Sequence, residues 1–133
     1  MRATFLCALL ALTPAHLAQA ETPLTATEFD AYTQGKTIFF SSQGEAYGVE
    51  QYLSNRRVRW AFIDDTCRIG HWYSDAANIC FVYKQDATPQ CWEFYLTNGK
   101  LRALFTSNLP ATELFETGQT TQPLACTGPD VGV

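Results

Sequence analysis

Short apolar segments separated by turn residues are the feature that most restricts how this chain can fold. Seven segments are rich in aromatic and β-branched residues, which is typical of β-strands. They cover residues 37–41, 46–53, 57–64, 68–73, 78–83, 90–97 and 100–106. The connections between them are too short to hold crossover helices, so the sequence predicts strands that pair antiparallel with their neighbours.

Turn and cap signals fix the ends of these elements. Asn98-Gly99 is the preferred dipeptide of a two-residue hairpin, and residues 86–89 are predicted as a turn. A short helix is predicted over residues 25–34, since Thr25 and Glu28 have the spacing of a capping box. The chain from about residue 108 is rich in proline and glycine and is predicted as an irregular tail.

The first 20 residues have the pattern of a secretory signal peptide. Arg2 supplies the positive start, residues 5–12 form the apolar run, and Ala18-Gln19-Ala20 is a small-x-small cleavage site. Cleavage leaves residues 21–133 as a single β domain. The predicted location is the periplasm or the outside of the cell, and no second apolar run is long enough to span a membrane.

Charge argues against a nucleic-acid partner. The whole chain has a net charge of −4, and loss of Arg2 makes the exported domain more acidic still. Nucleic-acid binding depends on neutralising phosphates with Lys and Arg, so an acidic domain disfavours it.

Four cysteines remain in the exported domain, and an even number in such a domain predicts two disulfides. The cysteine count alone allows three connectivities. Cys80 and Cys91 lie on consecutive predicted strands, so we expect them to pair and Cys67 to pair with Cys126. No C-x-x-C pair is present, which argues against a metal site, and the sequence indicates no cofactor.

Candidate catalytic groups are few. His71 is the only histidine of the exported domain, and it is either a packed or surface residue or a group that contacts a ligand. Glu50 and Glu93 lie inside predicted strands and are the best carboxylate candidates. A small hydrolase that uses a strand carboxylate with His71 is therefore one alternative, although solvated carboxylates are the commoner explanation.

Arginines form the one concentrated charge feature. Arg57 and Arg59 share one face of a predicted strand, opposite Trp60. They either form a solvated outer face or bind an anion or an acidic partner through their guanidinium groups.

Gly70-x-Trp72 resembles the Gly-x-Trp of small ligand-binding barrels such as the lipocalins. In that family the tryptophan closes one end of the barrel, although the motif usually stands near the mature start and here it is central. The fold class predicted is thus mainly β: an antiparallel meander of about seven strands that forms a curled sheet or a small lipocalin-like barrel, with one short N-terminal helix.

A wider set of motifs is similar to a family of small exported alphaproteobacterial proteins of unknown function. The motifs span nearly the whole exported domain: residues 47–53, residues 56–60, Cys67, Gly70-x-Trp72, residues 79–81, residues 90–92 and the ending Cys126-x-Gly128-Pro129. The resemblance implies export and a disulfide-containing β-domain, and it implies no catalytic residue.

The functional prediction is a periplasmic, non-enzymatic binding or interaction module. Its partner would be an unknown small ligand or an envelope protein, and a structural envelope component is a further alternative. The residues selected as candidate ligand contacts are Glu50, Arg57, Arg59, His71 and Trp72. A bound apolar ligand requires an aromatic-lined cavity, whereas an enzyme requires His71 within hydrogen-bond reach of a strand carboxylate.

Overall fold

The structure is a computed structural model, and it describes residues 21–105, 107 and 111–126. The predicted signal peptide, residues 1–20, lies outside the described residues.

Eight antiparallel strands form a closed barrel in which each strand pairs with the next and the last pairs with the first. The strands are β1 (Thr37–Ser42), β2 (Glu45–Tyr52), β3 (Arg57–Phe62), β4 (Arg68–Asp75), β5 (Asn78–Tyr83), β6 (Asp86–Thr97), β7 (Lys100–Phe105) and β8 (Thr112–Thr120). The mainly β fold class is confirmed. Of the two predicted arrangements, the barrel is the one formed.

The sequence pattern did not predict the eighth strand. β8 lies where an irregular tail was predicted from about residue 108, and that prediction is wrong over Thr112–Thr120. β8 pairs with both β1 and β7, so it is the strand that closes the barrel.

The turn predicted at residues 86–89 is also wrong, because β6 begins at Asp86. The hairpin turn lies at residues 84–85 instead. The register between β5 and β6 shifts between Phe81 and Tyr83, opposite the part of β6 that contains Pro89. A bulge of this kind is where a strand tolerates a proline, which has no N–H to donate. The Asn98-Gly99 turn is confirmed, with positive φ at both residues (53° and 75°).

One end of the barrel is closed by helix α1 (Ala26–Thr33). The capping box predicted at Thr25 and Glu28 is present at its start. On either side of the helix the chain is joined to the barrel, since the Leu24 amide donates to the Phe94 carbonyl at 2.7 Å and the Gly35 amide to the Tyr52 carbonyl at 2.9 Å. These two bonds hold the helix across the barrel end.

The core under this helix is aromatic. Phe29 is fully buried, and its ring lies 4.5 Å from Phe94, 5.2 Å from Trp72, 5.7 Å from Tyr52 and 6.4 Å from Phe81, measured between ring centroids. Full burial of a Phe side chain contributes about 1.5–3 kcal/mol, so this one residue anchors the helix. The two ends of the barrel therefore differ, and the helix-bearing end is the closed one.

Both predicted disulfides are present. Cys80 and Cys91 are direct register partners on β5 and β6, and Cys67 is joined to Cys126. The Cys67–Cys126 disulfide fastens residues 121–126 against the outside of the barrel. In this segment the Leu124 amide donates to the Gln51 side chain on β2 at 3.2 Å. Gln51 is outward by strand alternation but buried, which is consistent with cover by this segment.

Candidate binding site inside the barrel

The end of the barrel opposite helix α1 holds a pocket of about 50 Å³. Among the described residues, nine of the lining side chains are aromatic and one deep side chain is the carboxyl group of Glu50. The aromatic lining residues are Phe40, Tyr47, Tyr52, Trp60, Phe62, Phe81, Tyr83, Trp92 and Phe94. An engineered apolar cavity that binds benzene measures ~150 Å³, so this pocket has room for one small group of a ligand.

Strand alternation places the aromatic residues. Trp60 and Phe62 are two residues apart on β3 and therefore point to the same side of the sheet. Their rings and that of Tyr47 are in mutual contact, with centroid separations of 6.0 Å for Tyr47 and Trp60, 5.5 Å for Tyr47 and Phe62, and 5.3 Å for Trp60 and Phe62. Tyr47 and Phe62 are half-buried, so they form the mouth, whereas Trp60 is buried deeper.

Gly48 makes the position of Trp60 possible. A Cβ atom at residue 48 would lie 2.3 Å from Cζ2 of the indole, closer than real Cβ contacts come. The absence of a side chain on β2 at this point is therefore what lets the large ring of β3 lie across the inside of the barrel.

Glu50 is the unusual member of the site. Its side chain is 3% exposed and lies among rings, and the Tyr83 hydroxyl donates to its two oxygens at 3.1 and 3.2 Å. One hydroxyl hydrogen can serve only one oxygen well, and a carboxylate has about four acceptor positions. Among the described residues no Lys, Arg or His forms an ion pair with Glu50.

Burial raises the pKa of Glu50 well above its ordinary value of 4.5, and the hydrogen bond from Tyr83 only partly opposes this. Burial also raises the pKa of Tyr83, and the proximity of Glu50 raises it further. Burial raises the pKa of Tyr52 on β2, and the charges of Glu50 and Glu116 raise it further. All three groups are thus held toward their neutral forms, so the deep part of the pocket presents hydroxyl and carboxylic acid groups.

Arg68 is the one basic side chain among the residues that line the pocket, and it lies at the mouth. Its guanidinium is 5.0 Å from the centroid of the Phe62 ring and 3.6 Å from the Asp65 carboxylate. The arginine is therefore already partnered, by an aromatic face on one side and by an acid on the other, while its side chain stays about a third exposed (35%).

A second buried carboxylate, that of Glu116 at the closed end of the barrel, has more hydrogen-bond donors than Glu50. Glu116 accepts hydrogen bonds from the Tyr32 hydroxyl at 2.7 Å, the Leu101 amide at 2.8 Å and the Gln119 amide at 2.8 Å. Burial, with Glu116 beside it, raises the pKa of Tyr32 to about 12. The bond from Tyr32 joins the helix to the barrel, and the other two donors belong to β7 and β8. Among the described residues Glu116 thus has three donors, whereas Glu50 has one.

The structure separates the residues that were selected from the sequence. Of the five candidate ligand contacts, only Glu50 lines the pocket. His71 and Arg57 are exposed cross-strand partners on the outside of β3 and β4, and Arg59 lies on the same outer face. Trp72 is at the closed end, where it packs against Phe29 and under the Arg56 guanidinium at 4.4 Å.

The two groups of the hydrolase alternative are therefore apart. Glu50 points into the barrel and His71 points away from it. Glu93 accepts a hydrogen bond from the Tyr95 hydroxyl at 2.6 Å, on the outer face of β6. The structure does not bring His71 together with either of these strand carboxylates.

Sequence reasoning did not identify Tyr83 or the mouth residues as part of the site. A signal for Tyr83 was available, because it continues the inward row of Ile79 and Phe81 along β5. The position of Glu50 two residues before buried Tyr52 also carries information, since it puts a carboxyl group on an inward face.

Searches against protein-family models, curated proteins and solved structures find no match to this chain. The resemblance to exported alphaproteobacterial proteins stays a prediction. In the part of the chain that the structure describes, no helix has the length and apolar character needed to span a membrane.

Proposed function

We propose that this chain is a binding protein of the periplasm or the extracellular space, and that the open end of its barrel takes in one group of a small ligand. The observation that carries the proposal is Glu50, a buried carboxyl group with one hydrogen-bond donor, set among aromatic rings next to empty space. A buried polar group with unused acceptor positions costs stability. A site that tolerates this cost is a candidate for binding a ligand that supplies the missing donor.

Two further features support the proposal. The pocket opens at the end that is free of helix α1, so a ligand can reach it without displacing the core around Phe29. The two disulfides are typical of proteins in oxidising compartments, which agrees with the export predicted for residues 1–20.

The size of the pocket sets what can bind. Ligand pockets that enclose a drug-sized molecule measure roughly 300–1,000 Å³, far more than the 50 Å³ found here. We therefore expect a head group to enter beside Glu50 and Trp60 and the rest of the ligand to rest on Tyr47 and Phe62 at the mouth.

The test is a two-dimensional NMR titration of the oxidised domain with benzyl alcohol, a one-ring probe with a hydroxyl donor. We expect saturable shifts at Trp60 and Tyr83. Ala103 lines the pocket and is 1% exposed, so Ala103→Leu should fill the space and abolish these shifts. Ala87 is exposed on the outside of β6, and Ala87→Leu is the matched control that should still bind.

Circular dichroism of the Ala103→Leu variant must first show a folded barrel, since overpacking costs about 1–3 kcal/mol. Shifts that are absent from the wild-type pocket, or that persist in Ala103→Leu and are lost in Ala87→Leu, contradict the proposal.

A further inference from the structure

We propose that the group that enters the pocket is a protonated amine, with the Glu50 carboxylate as its partner and the aromatic rings around it. This inference rests on the binding function proposed above and names the chemical class of the ligand. It stands on the geometry of the carboxyl group, on the rings, and on where the chain places its own cations.

The Glu50 carboxylate has more acceptor positions than the chain supplies donors for among its described residues. An ammonium group carries two or three N–H donors and no acceptor, so it complements a carboxylate that has one donor for its two oxygens. A ligand carboxylate would bring acceptors toward acceptors. A ligand hydroxyl would supply one donor but no charge to stabilise the ionised form of Glu50, so Glu50 would stay protonated beside it.

The aromatic rings that line the pocket also favour a cation. Cations are attracted to the faces of Trp, Tyr and Phe within about 6 Å of the ring centroid. In the described part of the chain, cationic side chains lie over four rings, those of Tyr32, Phe62, Trp72 and Tyr95. Among the described residues, the deep pocket rings of Trp60, Phe81 and Tyr83 carry no such cation, and they surround the space beside Glu50. The ammonium group of a ligand would occupy this position beside Glu50, where no cationic side chain of the described residues lies.

Arg68 is the one feature of the pocket that favours an anionic ligand, because a guanidinium at a pocket mouth attracts anions. Its guanidinium lies 3.6 Å from the Asp65 carboxylate and over the Phe62 ring, so two groups of the chain already partner it at the rim. The exported domain is also acidic overall, which favours the approach of a cation.

Binding should release a proton. Burial raises the pKa of Glu50 and so favours its protonated form, whereas an ammonium beside it favours the carboxylate, so binding of an ammonium sends the carboxyl proton to solvent. The titratable and charged groups that face Glu50 are Tyr52 on β2, Tyr83 on β5 and Arg68 on β4. Burial holds both tyrosines toward their neutral forms. Glu50 is then the group whose titration couples to amine binding.

The experiment compares three probes of one shape in the same NMR titration: benzylamine, benzyl alcohol and benzoate. We expect benzylamine to bind about tenfold or more tightly than benzyl alcohol, and benzoate to bind most weakly. Glu50→Gln should remove the preference for benzylamine and leave the binding of benzyl alcohol. Glu45 is exposed at the start of the same strand, so Glu45→Gln removes an equal charge outside the pocket and should keep the preference.

The wild-type domain provides an independent readout if Glu50→Gln does not fold. The affinity for benzylamine should rise with pH above 5, by up to tenfold per pH unit, while the affinity for benzyl alcohol stays constant. Equal affinities for benzylamine and benzyl alcohol overturn the amine inference and leave the binding function standing, and tighter binding of benzoate does the same. If none of the three probes binds in the pocket, both proposals are wrong.

Discussion

Replacing Glu50 with Gln should change how the stability of the barrel depends on pH. The folded state raises the pKa of Glu50 through burial, whereas in the unfolded chain the group titrates near its ordinary value of 4.5. Above pH 4.5 the unfolded state loses this proton first and the folded state keeps it. Stability is therefore lost as the pH rises from 4.5 toward the folded pKa, and it levels off above that point.

The size of the effect follows from linkage. One proton held by the folded state alone lowers the free energy of unfolding by ~1.4 kcal/mol for each pH unit in this interval. Between pH 4.5 and the folded pKa the wild-type domain should therefore lose this amount per pH unit, and the variant should not. Gln can still accept from Tyr83 but leaves its buried NH₂ group unpaired, a cost of ~1–3 kcal/mol that does not depend on pH. The slope of the difference between the two proteins is the quantity to measure.

The assay is urea unfolding with the disulfides intact, followed by fluorescence of the three tryptophans at half-unit pH steps from 4.5 to 8. Groups other than Glu50 titrate in both proteins, so subtraction cancels their contributions. Glu45→Gln is the control, because it removes an equal charge at an exposed position of the same strand. Parallel stability curves for wild type and Glu50→Gln would refute the reasoning, since Glu50 would then titrate alike in both states.

Three further changes test the elements that shape the barrel. Phe29→Ala should lower the free energy of unfolding by ~3–5 kcal/mol, because Phe29 is fully buried, whereas Phe39→Ala at an exposed site (41%) should cost far less by the same urea assay. Thr25→Ala removes the helix cap and should cost ~1 kcal/mol of thermal or urea stability. Replacing Cys67 and Cys126 together with Ser opens a bond between residues 59 apart in sequence, for an expected loss of ~4 kcal/mol in urea. Equal stabilities in any of these comparisons would contradict the contact described for that element.

The sequence predicted most of the strands because alternation and turn chemistry agree there. Trp60 and Phe62 fall on one face of β3 opposite the arginines, and Asn98-Gly99 forms the hairpin that its composition favours. β8 was missed because its pattern is ambiguous. Leu114 points inward, its apolar neighbour Phe115 is exposed, and the remaining residues of the strand are mostly polar, so alternation gives no clear core face.

The candidate site was less predictable than the fold, because a side chain's direction depends on register. Glu50 and His71 both lie within strands, yet one points into the barrel and the other to solvent. A shift of one residue in pairing would have exchanged these directions. The pocket also depends on Tyr83, which lies 33 residues from Glu50 in sequence and adjoins it only because the barrel closes.

Closure of the barrel by β8 also determines how the domain can meet another protein. Every described strand is hydrogen-bonded to a neighbour on each side along at least part of its length, so the described sheet has no edge strand. An edge strand is what many β-domains use to capture a peptide as an added strand. Closure therefore leaves the side chains around the barrel opening and on the outer wall as the main surface for recognition.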